Sequence, residues 1–407
     1  MGRVQIQNNI TGLQERIISR MDLSRSMSEG EIRDSIDEEI LREGKISCLD
    51  LETRATLRKE IYYAIRQLGI LQELLDNPDI TEIMVNGTEP IFVERRGKLE
   101  QLSVRFDSIE KLHHVIQQIA ADCNRVINES SPIVDARLKD GARVNAVLAP
   151  VALNGPILTI RRFPEKAITM EQLISMGSVS REASEFLNRL VKAGYNILVS
   201  GGTGSGKTTF LNVLSGFIPP KERVITIEDS AELQLQGIPN LVRMETRNAN
   251  VEGCREITIR DLIKTSLRMR PDRIIVGEVR GKEAVDMLQS VNVGHNAMTT
   301  VHANSVRDVV SRLETMVLMG MELPVAAIRK QIVAGFDIMI HLGRLRDGSR
   351  HVLEIAEPTK ITEGEIGFHT LYHFQETGEL PDGRVVGKLL KMGELQNVEK
   401  LKTAGLM

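Results

Sequence analysis

A glycine-rich stretch that closes on a lysine and two threonines, Ser200-Gly-Gly-Thr-Gly-Ser-Gly-Lys-Thr-Thr209, has the residue types and the spacing to hold a phosphate. From Gly201 to Thr208 it fits the pattern G-x-x-x-x-G-K-[ST]. Gly201, Gly202, Gly204 and Gly206, with Thr203 and Ser205 among them, let backbone N–H groups turn inward around an anion. A helix beginning at Lys207 adds the positive end of its dipole. Lys207 would reach the β- and γ-phosphates, the Thr208 hydroxyl would hold Mg²⁺, and Thr209 carries the loop into the helix. This chemistry needs a strand before the loop and a helix after it. Asn196-Ile-Leu-Val-Ser200 reads as a short buried strand, and Lys207 to Phe217 as a helix start. In that context the motif implies a nucleoside triphosphate site.

Three more groups stand at the ends of apolar, strand-like runs. Arg223-Val-Ile-Thr-Ile227 leads to Glu228-Asp229, with Glu232 beyond. Arg273-Ile-Ile-Val-Gly277 leads to Glu278, with Arg280 beyond, and Ala297-Met-Thr-Thr-Val301 leads to His302. Ligands of open parallel sheets sit at the carboxyl ends of the strands. Two acids and a histidine at such ends can therefore converge on one γ-phosphate. A carboxylate after a strand is also a common helix cap, and a lone histidine is usually structural, so the weight lies on their joint position. The apolar run Ile274-Ile-Val276 marks Glu278 as the acid on the Mg²⁺ side, acting through water. Glu228 is the candidate for orienting and polarising the attacking water. Glu278 competes for that base role, and sequence does not separate the two. His302, with Thr299, Thr300 and Asn304 around it, would sense the γ-phosphate; His295 reads as a structural or sensor residue.

Composition bounds what can position these groups. At 407 residues the chain is too long for one ordinary core. A net charge of −3 gives no electrostatic case for nucleic acid, and 3% aromatic residues with no Trp argue against a stacking groove for single strands. Cys48, Cys123 and Cys254 lie too far apart to suggest a disulfide framework or a zinc site. The N-terminus has no apolar signal core, and no apolar run approaches the ~18 residues that span a bilayer. The expectation is a cytoplasmic protein whose membrane contact goes through a partner.

The chain then divides by pattern. Residues 1–70 are polar and then helical, with Ile32, Ile36, Ile40 and Leu41, and later Ile61, Ala64, Ile65, Leu68 and Leu71, at helical spacing. Residues 71–165 read as an α+β N-terminal domain. It holds strands at 80–87 and 91–95, an amphipathic helix from Ile109 to Val126, a hairpin turning at Lys139-Asp-Gly141, and a last strand at 156–162. Residues 166–180 form a linker and first helix, continuing from Pro164-Glu-Lys-Ala167. From 181 to 345 strands alternate with helices, which argues for a mainly parallel α/β sheet covered on both faces. Thr258-Ile-Arg-Asp261 and Ser305-Val-Arg-Asp308 fit capping boxes that open helices at 259–270 and 306–318. Residues 346–407 carry a few strand-like pieces and turn signals, without an assigned role.

In order, the phosphate loop, Thr226-Ile-Glu-Asp-Ser-Ala-Glu232, Val276-Gly-Glu-Val-Arg280 and Gly294-His-Asn-Ala-Met-Thr-Thr-Val-His-Ala303 resemble the type II/type IV secretion and pilus ATPase superfamily. They look like that family's Walker A, Asp-box, Walker B and His-box. Leu74-Leu-Asp-Asn-Pro-Asp-Ile-Thr-Glu-Ile-Met-Val-Asn-Gly87, Leu138-Lys-Asp-Gly-Ala-Arg-Val-Asn-Ala146 and His341-Leu-Gly-Arg-Leu-Arg-Asp-Gly-Ser349 extend the likeness to the Tad/Flp pilus-assembly branch. The resemblance implies a RecA-like P-loop ATPase domain behind the α+β domain. It also implies a homohexameric ring using ATP and Mg²⁺, and an inner-membrane platform protein as partner at the inner face of the cytoplasmic membrane. In such motors arginines of the N-terminal domain reach the phosphates; Arg137, Arg143, Arg161 and Arg162 are the candidates, and a solvated strand face is the plain alternative. The function implied is ATP-driven assembly of a Tad/Flp-type pilus or protein secretion. A disassembly motor, or an exporter of another substrate, is the nearest alternative. A nucleic-acid translocase and a non-hydrolysing switch are the others. No paired cysteines match the metal module that some relatives carry.

Overall fold

Within the strands between positions 80 and 161 the apolar load falls mainly on alternate residues, as a sheet with one buried face requires. Ile83 and Val85, Val144 and Ala146, and Leu158 and Ile160 are all buried. In the computed structural model they lie on β1 (Ile80–Asn86), β5 (Arg143–Val147) and β6 (Ile157–Arg161). β2 (Phe92–Arg95), β3 (Lys98–Gln101) and β4 (Ile133–Arg137) complete a six-stranded sheet of order β3-β2-β1-β6-β5-β4, antiparallel throughout. The helix Ile109–Asp122 lays Leu112, Val115, Ile116 and Ile119 into the same core. Ser108 caps it by accepting from the Lys111 N–H. The helix stops short of the expected Val126, and Cys123 Sγ instead donates to the Arg137 carbonyl at the end of β4. β3 is a polar four-residue edge strand with no alternation to announce it.

The structure describes residues 29–47, isolated positions between 51 and 68, and 70–407 apart from 96, 124, 139–140, 163–167 and 248–254. The expected linker at 164–167, most of the turn at 139–141, the periodic positions Ile61, Ala64 and Ile65, and Cys48 and Cys254 fall outside the described residues. In the helix Glu29–Ser47, Ile36 and Ile40 are buried and Leu41 is exposed. Among the described residues no helix is long and apolar enough to cross a membrane.

The chain forms two compact units, Met1–Glu165 and Lys166–Met407. The second is built on nine strands: β7 (Ile197–Gly201), β8 (Val224–Glu228), β9 (Leu241–Glu245), β10 (Arg273–Val276), β11 (Asn296–His302), β12 (Ile338–Arg344), β13 (Arg350–Thr362), β14 (Glu365–Glu379) and β15 (Val385–Lys391). Their order is β15-β14-β13-β12-β7-β11-β10-β8-β9. From β12 to β9 every pairing is parallel; β12 to β15 pair antiparallel. Alternate residues feed two cores. Ile197, Val199, Ile275 and Met298 join one cluster, and Leu198, Ile274, Val276 and Ala297 the other. A near-continuous apolar run is what a strand buried on both faces needs. This is the mainly parallel α/β architecture the sequence implied. The 346–407 stretch extends it, adding β13–β15 to the same sheet. β9 escaped the sequence because an edge strand of half-exposed residues carries little apolar signal.

Caps hold the helices that cross over the sheet. Thr258 and Asp261 bond each other's backbone reciprocally, whereas Ser305 only accepts from the Asp308 N–H, so the second expected box is half formed. The helix from Ile259 ends at Ser266, four residues before the expected Arg270, whose backbone is left-handed. Deep in the unit Arg273 is fully buried. Its guanidinium donates to Glu222 at 2.9 and 3.2 Å and to the Val191 carbonyl at 2.8 Å. Breaking such a pair strands a buried charge at a cost of about 3–5 kcal/mol. Glu222→Ala is therefore expected to lower the urea midpoint of this unit sharply, while Glu222→Gln, which keeps an acceptor, loses less.

Candidate active site

Adjacent parallel strands bring the chemistry-bearing groups to one end of the second unit. β11 lies beside β7 with His302 opposite Gly201. β10 lies between β11 and β8, with Val276 opposite both Thr299 and Ile227. Glu228 is the last residue of β8, His302 the last of β11, and Glu278 follows β10 by two residues. The turn carrying Glu278 is pinned on both sides. The Gly277 N–H donates to Ile227 O, Val279 N–H donates to Thr300 O, and Thr300 Oγ1 donates to Gly277 O at 2.7 Å.

The phosphate loop runs from fully buried β7 into the helix Lys207–Ser215. Gly206 at its N-cap has φ 92°, a left-handed backbone that only glycine adopts without strain. Among the described residues no side chain caps this helix, so its first N–H groups remain for an anion. Ser205 is buried and its Oγ has no partner among the described residues. Thr208 is half-buried in the first helical turn, next to exposed Thr209, and Gly202, Thr203 and Gly204 are exposed.

Lys207 is buried; its Nζ donates to Gly202 O at 3.0 Å and lies 3.3 Å from His302 Nδ1. His302 Nε2 lies 2.9 Å from Glu278 Oε1. A lysine can only donate, so Nδ1 accepts and the imidazole proton sits on Nε2, facing Glu278. Lys207, His302 and Glu278 thus form one chain. Burial pulls the Lys207 pKa down, against the pull of the Glu278 charge. Burial, then the Lys207 charge, also holds His302 below its usual value, with Glu278 opposing. The imidazole is therefore neutral near pH 7.

Glu228 is of another kind. It is 3% exposed. Oε1 accepts from the N–H groups of Glu232 and Leu233 at 2.8 and 2.9 Å, while Oε2 is buried without a partner among the described residues. Burial raises its pKa to about 7; the two N–H groups and nearby Arg243 work against that rise. A Cβ on Gly277 would stand 3.0 Å from Glu228 Cγ, so the glycine makes room for this carboxyl beside the Glu278 turn. A carboxyl oxygen with a pKa near neutrality, beside the turn that carries Glu278, is suited to taking a proton.

Sequence reasoning missed three supports. Asp229 and Arg280 form an ion pair, with Thr246 Oγ1 donating to Asp229 Oδ1 at 2.8 Å. Ser200 Oγ contacts His341 Nδ1 at 3.0 Å across the β7–β12 pairing. Arg350, at the start of β13, donates from Nε to Gly204 O at 2.8 Å. The last joins positions 146 residues apart, which no local pattern signals.

The candidate arginines lie in the first unit. Arg137 on β4 is paired with Arg143 on β5, and Arg143 with Arg161 on β6. Directly opposed residues point to one face, so three arginines form a single row. Arg137 Nε also donates to Gly141 O, and Arg143 lies 3.9 Å from Asp135. Arg162 is placed otherwise: its Nη1 donates to Asn77 O at 2.6 Å, bracing the start of β1.

A phosphate loop opening a helix at the carboxyl end of a central β7, with a histidine ending the adjacent β11 and acids at the ends of β10 and β8 beyond it, defines a P-loop nucleotide hydrolase of parallel α/β architecture. The family profile of type II/IV secretion system proteins matches residues 65–344. A Mycobacterium tuberculosis protein provisionally named for conjugal transfer is 35% identical over 349 residues, covering 84% of this chain and 98% of that one. The type IV secretion system protein VirB11 of Brucella suis is 33% identical over 315 residues, covering 70% and 87%. The solved ATPase DotB of Yersinia pseudotuberculosis superposes with a TM-score of 0.52 at 19% identity, covering 72% and 79%, and shares the fold. The chain belongs to the type II/IV secretion ATPase family.

Proposed function

We propose that this chain hydrolyses ATP to ADP and phosphate as the motor of a secretion or pilus system, with Glu228 as general base. The carrying observation is the buried Glu228 carboxyl, raised to about 7 and with one unpartnered oxygen. That oxygen takes the proton of the attacking water as a lone pair of the water oxygen adds to the γ-phosphorus, and the bond from the γ-phosphorus to the bridging oxygen breaks with its electron pair leaving on ADP. The loop amides and Lys207 hold the phosphates and spread the developing charge. As Lys207 turns to the phosphate it leaves His302, which registers the γ-phosphate through the same chain. Thr208 and Glu278 offer hydroxyl and carboxylate oxygens, a donor set that fits Mg²⁺. Bound there, the ion would neutralise phosphate charge.

The motor works as a homohexamer, with the arginine row of one subunit serving the site of another. Like charges set directly opposite destabilise a sheet, so Arg137, Arg143 and Arg161 side by side favour an anionic visitor. Arg162, already spent on Asn77 O, drops to a supporting role. The partner is an inner-membrane platform protein, met from the cytoplasmic side, and the system is of the Tad/Flp kind. Steady-state ATPase activity per subunit is expected to rise with protein concentration to a plateau. Arg137→Ala with Arg143→Ala should lower that plateau by at least about 10²-fold, short of the ~10³–10⁵ of a full arginine finger, with the circular dichroism spectrum unchanged. Full activity in a sample shown by mass to be monomeric would rule out a site completed between subunits.

A further inference from the structure

A loop with four glycines among six residues, Gly201 to Gly206, has little order of its own. Gly204 and Gly206 both have positive φ, 71° and 92°. Turning amides inward turns carbonyls outward, and each outward carbonyl needs a donor or water. Two cations hold such carbonyls here: Lys207 on Gly202 O and Arg350 on Gly204 O. Lys207 must give up its carbonyl to meet a phosphate. Arg350 has no such competing task, and its Cδ also packs 3.5 Å from where a Gly206 Cβ would be.

Arg350 is presented from a braced element. It is paired with Arg344 across the β12–β13 turn. In that turn Asp347 accepts from the N–H groups of Ser349 and Val385 at 2.9 and 2.8 Å. Arg346 forks onto Glu376 and Glu379 of β14 at 2.7–2.9 Å. His351 contacts Gly177 O and Ser349 Oγ, each at 3.0 Å. The antiparallel wing of the sheet thereby fixes the arginine, and the arginine touches the phosphate loop.

We propose that Arg350 is a positioning residue for nucleotide binding: its Nε–H holds the Gly204 carbonyl outward, keeps the neighbouring amides aimed at the phosphates, and couples β13–β15 to nucleotide affinity. This rests on the reading of 201–208 as the phosphate site. The test is isothermal titration of the full chain with ADP, alongside KM and kcat for ATP, for three variants. Arg350→Met keeps length and loses the donor. Arg350→Gln places its Nε2 donor at the same bond count as arginine Nε, without charge. Arg350→Lys keeps a charge but places its donor one bond further out than arginine Nε. We expect Arg350→Met to weaken ADP about tenfold, the scale of one hydrogen bond. KM should rise in step, with kcat within about twofold and the melting temperature unchanged, since Arg350 is exposed. Arg350→Gln should recover most of the affinity. Wild-type affinity in Arg350→Met overturns the proposal. So does rescue by lysine but not glutamine, which would place the charge on the phosphate itself. A Lys207→Ala control that bound ADP normally would instead sink the phosphate-site reading beneath it.

Discussion

Glu228→Gln is expected to bind ATP within about twofold of the parent and to lose turnover by about 10²–10³, inside the range for removal of a general base. The substitution suits the geometry. Glutamine retains a carbonyl oxygen for the Glu232 and Leu233 N–H groups, so the loop after β8 stays in place. What changes is the partnerless Oε2, which becomes an NH₂ that cannot accept a proton. Titration calorimetry with a phosphate-release assay separates the two quantities. Lost affinity would make Glu228 structural. Turnover within about threefold would hand the base role to Glu278.

A second reading of the same carboxyl comes from pH. With its pKa raised to about 7, Glu228 is a competent base only above that value. The rate kcat/KM, which reports the free enzyme, should therefore rise with pH through about 7 and lose that limb in Glu228→Gln. Stability runs the other way. The folded carboxyl keeps its proton up to about 7, whereas the unfolded value is 4.5. Between those values the native state binds more protons, so stability falls as pH rises through that window. Glu228→Gln removes the cost of ionising a buried carboxyl. It should be the more stable protein above neutrality, by thermal melts at matched pH.

Most of the second unit's centre could be read in the chain because its determinants are local. A loop motif of eight positions and apolar runs ending in acid or histidine place β7, β8, β10 and β11, and they put Lys207, Glu228, Glu278 and His302 at strand ends that can converge on one site before any register is known. What sequence cannot carry is pairing. The row Arg137–Arg143–Arg161 exists only once β4, β5 and β6 are in register, and register also sets Arg162 apart from it. Arg350 lies in a stretch without a motif and meets Gly204 only because β13 turns back antiparallel on β12. Between the two acids, burial is what favours Glu228 as the proposed base: it is 3% exposed with one oxygen unpartnered among the described residues, while Glu278 faces His302 and is half-buried.

Lys207→Ala should abolish measurable nucleotide binding, a loss of at least about 10²-fold for a buried lysine donating charge-assisted hydrogen bonds to phosphate. Folding is not expected to suffer. Burial already depresses the Lys207 pKa, so the native state gains little from holding this charge. The same variant has a second signature. The Lys207 charge is one of the influences keeping His302 below its usual pKa, and Glu278 pulls the other way. Removing the lysine leaves Glu278 facing the imidazole at 2.9 Å without that opposition. An NMR titration of the His302 ring should then move upward from its parent value. Lost binding together with a raised His302 pKa would show that Lys207, His302 and Glu278 act as one unit. Lost binding with His302 unmoved would confine Lys207 to the phosphates and cut the histidine out of any sensing role.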